Sequence, residues 1–230
     1  MNEWGERKKR AYRRRKLDEL ILFLFFYFLS LFFLSKAFCS GSCEFPVLAF
    51  VTIFHNLVLS LLVFWILKYR QEPFTKIGWT QNNLKKDISL GIFLFPPFYL
   101  SVILLLHLLT REGLSHMEKF PPALIPHNTS QIAEGLLMVM VVSVAEEIIF
   151  RGYLLTRIIE ITGNYTAGIL ISSLLFAWGH VYEGAAGMAT VFYIGVIYSL
   201  LFLKKKNLTV NIVLHFFTDF IPIVLVPILK

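Results

Sequence analysis

The sequence predicts an all-α fold: a polytopic bundle of about seven transmembrane helices with a cytoplasmic amino terminus. Three observations predict it. Of the 230 residues, 57% are hydrophobic and only 16% are charged, against about 25% charged and 45–50% apolar in soluble domains. The apolar residues gather in runs suited to a hydrocarbon core, which takes about 20 residues per helix. The basic residues fall almost wholly into alternate breaks between those runs, as the positive-inside rule requires. Seven spans consume about 140 residues, too many to leave room for a soluble domain, so any chemistry belongs to the helices themselves.

The runs lie at about 20–38, 47–67, 88–109, 134–155, 167–183, 187–203 and 208–229. Residues 1–19 read as a basic cytoplasmic tail, with eight of the 22 basic residues between Arg7 and Lys16 (RKKRAYRRRK). Such a cluster flanks a first membrane helix and can touch anionic lipid head groups. Nothing after it could read bases, so nucleic acid is not an expected partner. The first run mimics a secretory signal, but Lys36 and Phe38 suit neither an ordinary cleavage site nor a lipoprotein. It is expected to stay uncleaved.

The CSGSCEFP break then separates runs one and two, and brings Cys39 close to Cys43. Two readings stay open for them, a small local disulfide on an oxidising side or two unpaired thiols. The break KYRQEPFTKIGWTQNNLKKD carries five basic residues, and TREGLSHMEKFPPALIPHNTSQ precedes the fourth run. TRIIEITGNYT, the short YEGA and KKKN divide the remaining runs. With the amino terminus inside, 17 basic residues are cytoplasmic, against Lys36, Arg111, Lys119 and Lys230 outside. Residues 20–230 read as one transmembrane domain, with no internal repeat and no paired broken helices of the transporter kind.

Four charges lie well inside runs, away from their ends: Glu146, Glu147 and Arg151 in the fourth, Asp219 in the seventh. Each costs roughly 2.5–3.5 kcal/mol at a helix centre, so they must face one another or a wet cavity. Glu147 and Arg151, four apart, share a helical face and can pair. Glu146 is turned about 100° away, which leaves it free to exchange protons. His180 closes the fifth run, and Asn211, His215 and Asp219 form one polar stripe on the seventh. His55 and His107 lack charged neighbours at helical spacing, and neither is expected in a site.

A general base, two histidines and an amide- or carboxyl-bearing side chain in a wet cavity suit hydrolysis. Glu146 and His180 could hold and deprotonate a water, with His215 and Asp219 stabilising an oxyanion. Glu146, His180 and His215 could instead hold a divalent metal such as zinc. There is no HExxH motif, and Asp219 is the only aspartate deep in a run, so an aspartyl dyad is excluded.

Three ordered motifs, Glu146-Glu147-x-x-x-Arg151, Phe176-x-x-x-His180 and His215-x-x-x-Asp219, resemble those of the CPBP family. That family comprises type II CAAX prenyl endopeptidases, abortive-infection proteins and bacteriocin-processing or immunity proteins. The resemblance covers about residues 134–222, the motif-bearing core. It implies an intramembrane endopeptidase, acting on a membrane-associated protein or peptide near the cytoplasmic side, in a bacterial cytoplasmic membrane. It implies that Glu146 and His180 activate water, Glu147 and Arg151 form a supporting pair, and His215 and Asp219 line the oxyanion side. Family members often carry Asn where this chain has Asp219, and an Asp donates only when protonated. Two other readings stay open: a non-proteolytic immunity or assembly factor on the same fold, and a proton-coupled transporter.

Overall fold

Each apolar run of the sequence becomes a helix. The computed structural model describes residues 3–39, 44–80, 82–115 and 125–229, with the backbone alone for residues 3–6 and 33–39. The Cys39–Cys43 pairing lies outside the described residues. Among these residues the fold is all-α, without strands. Helix α1 spans Glu3–Cys39, α2 Phe45–Tyr69 and α3 Leu84–Arg111, with a 3-10 turn at Phe74–Ile77 between α2 and α3. A single rod follows: α4 (Thr129–Glu146), a π-helical stretch (Glu147–Leu155) and α5 (Thr156–Thr162). Helix α6 (Tyr165–Trp178), a 3-10 turn (Val181–Glu183) and α7 (Gly184–Lys205) come next. The last rod joins α8 (Thr209–Phe220), a π stretch (Ile221–Leu225) and α9 (Val226–Ile228). By length and composition, four helices can cross a membrane: Phe45–Tyr69, Leu84–Arg111, Val181–Lys205 and Thr209–Ile228.

Local signals set the boundaries. The Asn128 side chain accepts from the Gln131 N–H at 3.0 Å and starts α4, and Asn164 caps α6 through the Ala167 N–H at 3.1 Å. Gly163, at φ +71°, ends α5 in the left-handed region. Helix α6 stops at Trp178, so His180 lies in the turn after it and not on the helix. The basic stretch predicted as a tail is helical and continuous with the first apolar run. Its Arg, Lys, Leu and Ala are good helix formers, and Lys16 and Glu19 near its end are buried.

Helix α2 packs on α4, α3 on α8, and α6 on α7. The last pair approaches closely because Gly195 has no side chain; a Cβ there would stand 2.9 Å from the Ser173 Cβ. Gly152 similarly admits the 3-10 turn against the π stretch, where a Cβ would meet the Ile77 carbonyl oxygen at 2.9 Å. The buried core runs from Phe23 and Tyr27 of α1 through Tyr153 to Tyr198, Phe202 and Leu214.

A network of ion pairs joins the amino-terminal helix to the rod that carries Glu146. Lys16 bonds Glu72, and Arg70 pairs with Glu19. Arg157, only 2% exposed, reaches Glu72 at 3.1 Å and Glu160 at 2.7 Å, while Lys76 lies 3.1 Å from Glu72. Burial alone would push the Glu72 carboxyl up; hydrogen bonds from Lys16 and Arg157, the Arg157 charge and a hydrogen bond from Lys76 outweigh it and hold it down at about 2. Burial likewise opposes the charge of Lys76, but Glu160 and Glu72 raise its pKa. The Arg157 guanidinium also stacks over the Tyr153 ring, 5.1 Å from its centroid.

Candidate active site

The π stretch begins at Glu147, immediately after Glu146, and π segments concentrate at functional sites. Glu147 is fully buried, and both of its oxygens are engaged. Its Oε1 accepts from Arg151 at 2.8 Å and from the His215 Nδ1 at 2.9 Å, and its Oε2 accepts from the Asn211 side-chain amide at 3.2 Å. The same Asn211 amide donates to the Tyr198 carbonyl at 2.8 Å. Three donors from two rods thus meet on one carboxylate, a geometry that offsets the cost of burying it.

Glu146 is placed differently. Its side chain is 16% exposed, its Oε2 lies 3.6 Å from the His215 Nε2, and that oxygen has no hydrogen-bond partner among the described residues. Asp219, one helical turn beyond His215, brings its Oδ2 to 3.4 Å from the same nitrogen. His215 therefore bridges the fully buried carboxylate on one side and two less engaged ones on the other.

His180 comes from the turn after α6. Its Nδ1 lies 3.0 Å from the Phe176 carbonyl oxygen. A carbonyl only accepts, so Nδ1 carries the proton and Nε2 of the neutral ring keeps its lone pair. The Phe176 ring lies against both histidines, with its centroid 5.1 Å from that of His180 and 5.9 Å from that of His215. The Arg151 guanidinium lies 4.2 Å from the centroid of that ring, a cation–π contact that ties the first motif to the second.

Glu146, Phe176, His180, His215 and Asp219 all line one cavity of about 840 Å³. Glu147 and Arg151 lie behind it, in contact with His215 and Phe176. The three motifs, far apart in sequence, thus meet at one place. Among the described residues no three His, Cys, Asp or Glu side chains are grouped as a metal site needs, and Glu146, His180 and His215 form no such group.

Residues 128–221 match a family model described as type II CAAX prenyl endopeptidase Rce1-like. These residues, less than half of the chain, are similar to that family. No curated protein and no solved structure matches the chain. The Rce1-like segment contains every motif residue from Glu146 to Asp219, and that family implies protease activity. With four helices apolar and long enough to cross a bilayer, the molecule is an integral membrane protein.

Helices outside the Rce1-like segment complete the cavity: Tyr27 from α1, Thr52, His55 and Asn56 from α2, and Tyr99 from α3. His55, set aside on the sequence for want of charged neighbours, is therefore part of the wall. The cue in the sequence was its place in a small polar group, Thr52, His55 and Asn56, on one face of an apolar helix. The ion-pair network has no such cue, because its members come from the tail and two separate breaks.

Proposed function

We propose that the protein is an intramembrane endopeptidase in which Glu146 and His180 activate the water that cleaves a peptide bond. The observation that carries this reading is the division of labour between adjacent carboxylates. Glu147 has both oxygens engaged by three donors, whereas Glu146 has an unpartnered oxygen beside a large cavity that His180 also lines. A base must be free to take a proton, and of the two adjacent glutamates only Glu146 is.

Water, held by Glu146 and the His180 Nε2, adds its oxygen to the carbonyl carbon as Glu146 takes its proton. His215, fixed by Glu147, which Asn211 in turn holds, presents Nε2 towards the oxygen that gains charge, and Asp219 orients that nitrogen. Glu146 then passes the proton to the departing amine, giving a free carboxylate and a new amino terminus. In this reading seven helices span the bilayer, the amino terminus is cytoplasmic, and the substrate is a membrane-associated protein or peptide.

The test is comparative terminal proteomics of membranes containing the wild-type protein, Glu146→Ala or His180→Ala. New termini should be present with wild type and lost, by at least about 100-fold, with either variant, while both variants insert normally. A phenotype retained in full by both variants would instead mark a non-proteolytic immunity or assembly factor.

A further inference from the structure

The motif residues account for only part of the cavity wall. Helix α2 is apolar along its buried face, through Phe45, Leu48, Ala49, Leu59 and Val63, except at Ser60 and at one polar group beside the cavity. There Thr52, His55 and Asn56, at i, i+3 and i+4, all line the cavity. Asn56 is only 3% exposed and spends one amide hydrogen on the Thr52 carbonyl at 3.1 Å. An asparagine amide keeps a second N–H and two acceptor lone pairs beyond that bond. The His55 Nδ1 is buried and has no hydrogen-bond partner among the described residues. Polar groups so placed on a membrane helix are costly unless they serve a partner.

Their depth is set by the neighbouring helix. A Cβ at Gly135 would lie 3.2 Å from the Phe45 ring, and Phe45 and Ala49 cluster with Met138. Helices α2 and α4 therefore run parallel, offset by 90 residues at the Gly135–Phe45 approach (135 less 45), with Ala49 and Met138 in the same cluster one turn further on. Carried along the pair, the same offset sets Asn56 level with residue 146. The polar group of α2 stands at the depth of Glu146.

We propose that Thr52, His55 and Asn56 form a docking strip for the substrate's backbone, holding an extended peptide segment with its scissile bond at Glu146. The assignment rests on the endopeptidase reading and names how that site takes its substrate. A peptide bond cannot be attacked while it is part of an intact membrane helix, because the helix screens its own backbone. Once unwound, its N–H and C=O groups lose their partners in a place with little water, and something must replace them. The amide of Asn56 can both donate to and accept from a peptide unit, and the imidazole of His55 and the hydroxyl of Thr52 add further donors and acceptors. Such contacts are independent of the substrate's side chains, so the strip recognises extended backbone and not a particular sequence.

The experiment uses full-length protein in liposomes and a synthetic peptide spanning a Glu146-dependent terminus found by the proteomic comparison. Asn56→Leu and His55→Leu should each raise KM by about tenfold with kcat within about threefold of wild type, the pattern of lost binding alone. Thr52→Val should raise KM by a few-fold. Thermal unfolding in detergent establishes that each variant is folded. Should a leucine variant not fold, a diazirine-bearing peptide bound to Glu146→Gln protein takes its place. Labelling of the peptide containing residues 52–56 supports the strip, and labelling confined to other helices overturns it. Unchanged KM in folded variants, or a fall in kcat with KM constant, also overturns it. Absence of any Glu146-dependent terminus removes the endopeptidase reading itself, and the strip with it, a failure distinct from an unchanged KM on a cleaved peptide.

Discussion

Two neighbouring glutamates have opposite surroundings, and the difference lies in which way each points from the same rod. Glu147 is turned to Arg151, His215 and Asn211, and its replacement would strand a buried guanidinium. Glu147→Gln should therefore destabilise the protein by about 3–5 kcal/mol, the range for breaking a buried pair. It should also release His215 and lower kcat. Unfolding in detergent and turnover on a cleaved peptide check the two effects. Asn211→Leu removes weaker bonds, to Glu147 and to the Tyr198 carbonyl, and should cost about 1–3 kcal/mol. Glu146→Gln, in contrast, should leave the unfolding midpoint within a degree or two while abolishing turnover, because its carboxylate is engaged only loosely. The pairing of Glu147 with Arg151 was legible in the sequence, since residues four apart share a helical face. The bond from His215 was not, because it links positions 68 apart through the packing of two rods.

Among the elements, the π stretch from Glu147 to Leu155 departs most from what periodicity predicts. A sequence pattern read at 3.6 residues per turn places the apolar run correctly but cannot show where the helix widens. The widened segment is buried throughout, and the 3-10 turn at Phe74–Ile77 presses on it at Gly152. Gly152→Ala should cost about 1–3 kcal/mol through the clash with the Ile77 carbonyl, with turnover falling as the rod is pushed away from α8. Comparing its unfolding midpoint and kcat with those of the wild type checks both. Helix ends show the same limit of sequence reading. The fifth run was expected to extend to residue 183, yet α6 stops at Trp178 and His180 projects from a turn. Nothing in an apolar run reveals that a histidine's ring will bond back to the carbonyl of Phe176 and so terminate usefully beside the cavity.

Across the whole molecule, the buried charges among the described residues fall into three places: beside the cavity, in the network around Glu72 and Arg157, and at Asp87 with its partner Lys205. The Glu72 carboxyl is held at about 2, below its ordinary 4.5, so it contributes stability that is fully present above about pH 4.5 and lost as pH falls towards 2. With solvent screening allowed for, that contribution is on the order of 1–2 kcal/mol. The gap in unfolding midpoint between wild type and Glu72→Gln should be widest at pH 6 and narrow by pH 3. Scanning both proteins in detergent at the two pH values checks the sign. The network itself was invisible in the sequence, where Lys16, Glu72 and Arg157 looked like ordinary members of a tail and two loops, while the seven apolar runs and the three motifs were plain. One more consequence follows from the engagement of Glu147 by donors from two rods. Arg151 is in place as soon as its own rod forms, but His215 and Asn211 belong to a rod that follows α7 in the chain. A nascent chain that has inserted everything up to α7 therefore holds Glu147 by one donor of its three, and on the proposed reading its centre is still incomplete.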